Sequence, residues 1–263
     1  MHQRLANALS YGEFQLFYQP IVSVTTGEIV CVEALCRWPQ RDQTFTNTET
    51  FIAQAETSGF IIQLGEWVLR TAAEQVRRWQ QLFHRRLRLS INLSARQFLH
   101  FNLVKQVEDT LRASNFNPQL LDFEITETVA MQSAEDSIGV MRQLKSMGVG
   151  LALDDFGTGY SSLAYLKRFP IDTLKIDKSF VRDIPEDAND LAIVSAIIAM
   201  SHALGLRVIA EGVETEPQWH FLRDCGAQFA QGYLFGRPLP ASDLEDMLAR
   251  QDAGLQGIST LHA

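Results

Sequence analysis

Short apolar runs alternate along this chain with longer segments of helical period. The runs rich in Ile, Val, Leu or Phe are Phe14–Val22, Ile29–Trp38, Leu87–Ser94, Leu121–Glu127, Gly150–Phe156, Asp172–Asp177, Leu206–Glu211 and Phe229–Leu234. Each is bounded by polar residues or by Gly and Pro, which is how buried strands read. Helical spacing is clearest over Ile62–Phe83, where Leu64, Val68, Leu69, Ala72, Val76 and Trp79 fall near one face. Similar segments cover Leu103–Ser114, Ala134–Met147, Ser161–Phe169, Asn189–Leu204, Glu216–Cys225 and Ser242–Ala249. Thr215 ahead of Glu216-Pro217 reads as a helix start. Gly148 and Gly205 stand where a C-terminal cap belongs.

Strands alternating with helices predict a parallel sheet. Eight of them in 263 residues predict an α/β fold, a (β/α)8 TIM-like barrel. One junction departs from this. Ser23–Glu28, with Thr26-Gly27, is hairpin length and too short for a helical crossover. The first strand is therefore expected to be antiparallel. An open doubly wound sheet is the alternative, but no glycine fingerprint follows an early strand. No Ser/Pro/Gly-rich linker divides the chain. Residues 1–250 are read as a single barrel, with 251–263 as a C-terminal tail expected to lack fixed structure.

Composition excludes some functions. Apolar residues at 46 % and charged residues at 21 % exclude a collagen-like or disordered chain. Acidic residues outnumber basic ones 31 to 23, so the basic face that duplex nucleic acid requires is not expected. Cys31, Cys36 and Cys225 have neither disulfide nor zinc spacing and are read as reduced thiols. The start, MHQRLANALSYGEF, lacks the apolar core of a secretory signal. Leu191–Met200, the longest apolar stretch, falls far short of the about 20 residues of a membrane span. The cytoplasm is the expected compartment, and the sequon Asn92-Leu93-Ser94 is read as accidental.

Catalytic groups of such barrels sit at the carboxyl ends of strands, and strand residues alternate faces. Glu33, Leu35 and Arg37 share a face of the second run; Ser90, Asn92 and Ser94 share one on the third. Asp122, Glu124 and Thr126 go together on the fourth, with Glu127 just beyond on the other side. The fifth ends in Asp154-Asp155, and the sixth carries Thr173, Lys175 and Asp177. The seventh ends in Glu211, with Glu214 in the following loop. Gln231 and Gln19 complete the set. Taken singly, Asp155 reads as a loop acid and Lys175 as half of an interior salt bridge. Eight strands with the same tendency point instead to one shared mouth.

Glu33, Asn92, Glu124, Asp154, Asp155 and Glu211 would bring oxygen donors together there. So many carboxylates repel one another unless cations intervene. Oxygen-only ligation selects Mg²⁺, Mn²⁺ or Ca²⁺ over zinc. Adjacent aspartates suit one shared and one private ligand of two ions, the arrangement that cleaves phosphodiesters. Lys175 suits either neutralising developing charge or placing a water. Gly157 and Gly159 in DDFGTGYSSL read as a tight βα turn, with Ser161 or Ser162 as helix N-cap, rather than as a phosphate loop.

At these residues the chain resembles the EAL-domain family of cyclic di-GMP phosphodiesterases. Glu33-Ala34-Leu35 is the tripeptide that names it. The match extends through YQPIV (Tyr18–Val22), EALCRW (Glu33–Trp38), INLSARQF (Ile91–Phe98) and FEITET (Phe123–Thr128). It continues through LDDFGTGYSSLAYL (Leu153–Leu166), LKIDKSFV (Leu174–Val181), AEGVET (Ala210–Thr215) and QGYLFGRPLP (Gln231–Pro240). The resemblance covers about Leu5 to Leu248. It implies hydrolysis of cyclic di-GMP to linear pGpG by two divalent cations, Mg²⁺ or Mn²⁺, with Ca²⁺ inhibitory. It implies Glu33, Asn92, Glu124 and Asp154 as ligands of one ion, with Asp154 bridging and Asp155 and Glu211 serving the second. Lys175 matches the lysine holding the hydrolytic water, Glu211 is also the proposed general base, and Glu33 counts with them as catalytic. Gln19, Leu35, Arg37 and Gln231 match substrate-contacting positions, and Glu127 matches the glutamate anchoring the DDFGTGY loop. A homodimer through that loop and the neighbouring helix is implied as well.

The chain departs from the family pattern at Thr48 and Ala53, where proline is common, and at Lys178, where arginine is common. No GGDEF or sensor module stands beside it in this sequence, and Met1–Ser10 is read as the end of a linker from a longer protein. Two other readings compete. One is a degenerate cyclic di-GMP sensor, which would have lost ligands or the lysine; the other is a metal-dependent barrel lyase using a lysine base.

Overall fold

Strand β1, Gln15–Ser23, turns through Thr26-Gly27 into β2, Ile29–Arg37. The two pair antiparallel from Gln15 against Arg37 to Val22 against Ile29, as the short junction requires. The computed structural model describes residues 2–40, 45–158 and 163–254. Strands β3 (Arg88–Asn92), β4 (Leu121–Thr126), β5 (Gly150–Phe156), β6 (Thr173–Ile176), β7 (Arg207–Ala210) and β8 (Phe229–Gln231) follow, each parallel to the one before. β1 lies antiparallel between β8 and β2 and closes the barrel. A two-residue strand β9, Leu239–Pro240, adds to β1 outside the predicted eight.

The helices in chain order are α1 (His2–Ser10), α2 (Thr48–Ser58), α3 (Ile61–Leu82), α4 (Ala95–Phe98), α5 (Leu103–Ser114) and α6 (Glu127–Gln132). They continue as α7 (Ala134–Ser146), α8 (Leu163–Leu166), α9 (Lys178–Val181), α10 (Ala188–Ala203), α11 (Glu216–Asp224) and α12 (Ala241–Asp252). Thr215 caps α11 through a reciprocal capping box with Gln218. Gly148 and Gly205 follow α7 and α10 with left-handed backbone, as expected. Met1–Ser10 is corrected from linker to helix over His2–Ser10: Leu5 and Ala8 on one face of α1 are buried in the core. α12 runs two residues past the expected boundary at 250. There Gln251 accepts from Ile29 N at 3.0 Å and from Arg85 Nη1 at 2.9 Å, tying the helix to the foot of the hairpin. The remaining tail, 255–263, lies outside the described residues, as do Gly159, Ser161 and Ser162.

The long α3 packs where its apolar stripe predicts, burying Leu64, Val68, Leu69, Ala72, Val76 and Trp79. Trp79 meets Tyr18 of β1 edge-to-face at 4.9 Å. Asp122 shares the Glu124 face but lies at the other, amino end of β4. There Arg88 grips it with two bonds of 2.6 Å and Arg207 approaches to 3.4 Å. A fork-on-carboxylate pair of this kind holds the barrel floor. Only glycine fits at position 150, because a Cβ there would stand 2.0 Å from Asp122 Oδ1. No helix among the described residues is long and apolar enough to cross a membrane.

Candidate functional site

The carboxyl ends of the strands gather the predicted polar residues around one buried cation. Lys175 at the middle of β6 is 1 % exposed. Its ammonium donates to Glu124 Oε2 and Glu211 Oε1, each at 2.6 Å, and lies 3.3 Å from Asp154 Oδ1. Glu33 on β2 sits beside this group. Its Oε1 accepts from Asn92 Nδ2 and its Oε2 from Gln231 Nε2, the latter at 2.6 Å. Strand register explains part of the grouping: Asn92 pairs with Glu124, and Glu33 pairs with Ser90 one step nearer the barrel floor, so the Glu33 side chain meets Asn92 from the row below.

Asp155 shows how neighbouring strand residues can reach the same place. Regular alternation would send the Asp155 side chain away from that of Asp154. The β5–β6 register breaks between Leu153 and Phe156, and Asp155 takes a left-handed backbone with φ of 55°. Aspartate tolerates that conformation better than most residues. One carboxylate oxygen each from Asp154, Asp155 and Glu211 then fall within 4.8 Å of one another. The carboxylates of the adjacent aspartates therefore come together across an irregularity in the strand pairing.

The charge balance is unfavourable as it stands. One ammonium faces the carboxylates of Glu33, Glu124, Asp154 and Glu211, with Asp155 beside them. Burial would lower the Lys175 pKa, but Asp154, Glu124, Glu211 and Glu33 together hold it well above the usual lysine value. Burial and the charge of Glu33 push Glu124 well above the carboxylate range despite Lys175. Burial, with Asp154 and Asp177, also raises Asp155. Divalent cations would relieve this repulsion, and the all-oxygen donor set fits Mg²⁺-like ions.

Glu211 carries a pH prediction. Burial, aided by Asp154 and Glu33 against Lys175, pushes it from 4.5 up to about 7. A carboxyl raised by folding stabilises the fold below its unfolded pKa, and that contribution is lost as pH rises through the folded value. Without divalent cation, Glu211→Gln should therefore gain stability relative to the parent between pH 4.5 and pH 7. The difference in Tm between the two proteins across that window checks it, and a flat difference would contradict it.

The remaining predicted residues surround this group. Leu35 and Arg37 face an open cavity of about 480 Å³ whose walls include Ile52, Leu64, Asn92 and Val129. Arg37 is half-buried, lies over the Phe17 ring at 5.9 Å and donates to Cys36 O. Gln19 is the register partner of Glu33 on β1, and its amide donates to Gly236 O at 3.2 Å. Gln231 has a second contact to make, because its Oε1 is buried without a partner. Glu127, on the opposite side as parity predicts, accepts from Gly157 N at 3.3 Å and so reaches the loop after β5. Ser90 received no role from the sequence. Its hydroxyl donates to Glu124 Oε1 at 2.6 Å, and its place on the Asn92 face was the available signal.

Comparison with known proteins places this arrangement. The EAL domain family matches residues 2–238. The chain is 45 % identical over 240 residues to the bifunctional diguanylate cyclase/cyclic di-GMP phosphodiesterase MucR of Pseudomonas aeruginosa, covering 91 % of this chain and 35 % of that protein. It is 43 % identical over 248 residues to the cyclic di-GMP phosphodiesterase NbdA of the same organism, covering 94 % and 32 %. The chain thus spans about a third of the length of these relatives. Among solved structures, the PaMucR phosphodiesterase in complex with cyclic di-GMP superposes with a TM-score of 0.88 at 45 % identity, covering 92 % of this chain and 98 % of that one.

Proposed function

The chain belongs to the EAL-domain family, and from that membership we propose that it hydrolyses one phosphodiester of cyclic di-GMP, giving linear pGpG, at the carboxyl mouth of its barrel. The observation that carries the reading is the ring of carboxylates around buried Lys175. A sensor that had lost catalysis would be expected to lack part of this set, and it is complete. Glu33, Asn92, Glu124 and Asp154 would hold one divalent cation, Mg²⁺ or Mn²⁺. Asp154, Asp155 and Glu211 would hold a second. Such a pair supplies positive charge to the phosphodiester and lowers the pKa of the attacking water.

The side chains divide the remaining work. Lys175 holds the attacking water by an N–H bond to its oxygen. Glu211 takes the proton as that oxygen bonds to phosphorus, a role open to a carboxylate at the end of β7 beside the Lys175 ammonium. The phosphorus–O3′ bond breaks, the phosphate stays on the 5′ oxygen, and the 3′ oxygen takes up a proton from solvent. Arg37 offers a planar donor fork to a phosphate. Leu35 and the apolar cavity wall shelter a base, and Gln19 and Gln231 supply amides to the substrate. Glu127 holds the loop after β5 in place.

The test is incubation with cyclic di-GMP and Mg²⁺, Mn²⁺ or Ca²⁺, with products separated by chromatography. pGpG should form with Mg²⁺ or Mn²⁺ and not with Ca²⁺, whose longer and looser coordination misplaces the ligands. Turnover with Ca²⁺ equal to that with Mg²⁺ would contradict the compact-ion part of the reading.

The same family membership supports a homodimer. The surface it implies is the DDFGTGYSSL loop and the helix beside it, of which residues 159–162 lie outside the described residues. Sedimentation velocity should show a dimer, and a monomer at all concentrations would exclude it.

A further inference from the structure

Glu124 is the most enclosed carboxylate of the mouth, 1 % exposed, and both of its oxygens are already engaged. Lys175 takes Oε2 and the Ser90 hydroxyl takes Oε1, each at 2.6 Å. Ser90 itself is 2 % exposed. In register it lies between Glu33 on β2 and Asp122 on β4, one step nearer the barrel floor than the Asn92–Glu124 pair. We propose that Ser90 is a positioning residue that fixes the Glu124 carboxylate for divalent-cation binding through the Oγ–Oε1 hydrogen bond. The inference rests on the cation-site reading above.

The geometry separates this role from that of an interior filler. A glutamate has three rotatable side-chain bonds, and a lysine contact at one oxygen leaves rotation about that contact free. A second bond at the other oxygen, from a rigid strand, removes it. Hydrogen bonds to ligating carboxylates tune metal sites in this way, and losing one typically costs 10- to 100-fold in affinity. Stability should respond far less. A cavity of about 20 Å³, lined by Ser90, Cys31, Arg88, Asp122, Thr173 and Arg207, lies on the floor side of Ser90. It is large enough for one water, and removing the Ser90 hydroxyl would extend it toward Glu124 Oε1, which that hydroxyl contacts.

The test is Mn²⁺ binding to the full chain, without substrate, followed by electron paramagnetic resonance of free Mn²⁺. Ser90→Ala should weaken binding about tenfold or more, with Tm nearly unchanged, while Ser90→Thr keeps the hydroxyl and stays within about threefold of the parent. Ser90→Ala binding within about twofold of the parent would overturn the proposal. So would Ser90→Thr losing as much as Ser90→Ala. Should Ser90→Ala not fold, Ser90→Cys, nearly the same shape with a weaker donor, carries the same two outcomes. No Mn²⁺ binding by the parent would instead remove the cation reading, and this inference with it.

Discussion

Glu211→Gln is expected to lower the turnover of cyclic di-GMP by about 10³-fold or more while the chain folds normally. The carboxylate stands at the end of β7, 2.6 Å from the Lys175 ammonium and within 4.8 Å of the Asp154 and Asp155 oxygens. The amide keeps the shape and still accepts from Lys175. It cannot ionise, so it neither takes the water's proton nor contributes negative charge to cation binding. The defect should therefore fall on kcat, with KM little changed, because Glu211 lies away from the cavity beside Leu35 and Arg37. Steady-state kinetics with saturating Mn²⁺ checks this. A variant that keeps more than about a tenth of the parent's kcat would show that neither role belongs to Glu211.

Lys175→Met should show the second-largest effect, in stability as well as rate. The change leaves Glu124 and Glu211 buried without the cation they both contact. Breaking a buried pair by removing one partner typically costs about 3–5 kcal/mol. The cost depends on the carboxylates being ionised. Burial and mutual repulsion raise the pKa of Glu124 and Glu211, so protonation relieves the variant as pH falls. Urea unfolding without divalent cation should show a large loss at pH 8 that shrinks at pH 5. Added Mg²⁺ should return part of the loss at pH 8. Turnover should fall by about 10²-fold or more, because the donor that holds the water is gone. An equal loss at both pH values would contradict the charge-balance account.

The strands were legible because each is a short apolar run bounded by polar residues or by Gly and Pro, and because such runs alternate with longer segments of helical period. The six-residue junction Ser23–Glu28 then gave the orientation of β1 by its shortness alone. Parity placed Glu33, Asn92, Glu124 and Lys175 toward one interior and Glu127 outside it. Other elements carried weaker signals. α1 and α2 are short and polar: α2, TETFIAQAETS, buries only Phe51 and Ala55. α4, α6 and α9 span four to six residues, too few to show a helical period. α10 is apolar on nearly every side, so its period does not reveal which face is inward. Parity also failed to say which end of a strand a polar residue occupies, as Asp122 shows. The left-handed turn at Asp155 was invisible because aspartate gives no sign of it. Ser90 stands on the right face, but a serine on an interior strand reads as a small filler until the fold shows its hydrogen bond to Glu124.

The most direct test of the central claim is hydrolysis of cyclic di-GMP by this chain in ¹⁸O-water with Mn²⁺, with mass spectrometry of the product. Attack by a water at phosphorus predicts pGpG carrying a single ¹⁸O on its 5′-phosphate and none on the ribose 3′-hydroxyl, and no product when Mn²⁺ is withheld. Recovery of intact, bound cyclic di-GMP in the presence of Mn²⁺, or label on the 3′-hydroxyl, would contradict it.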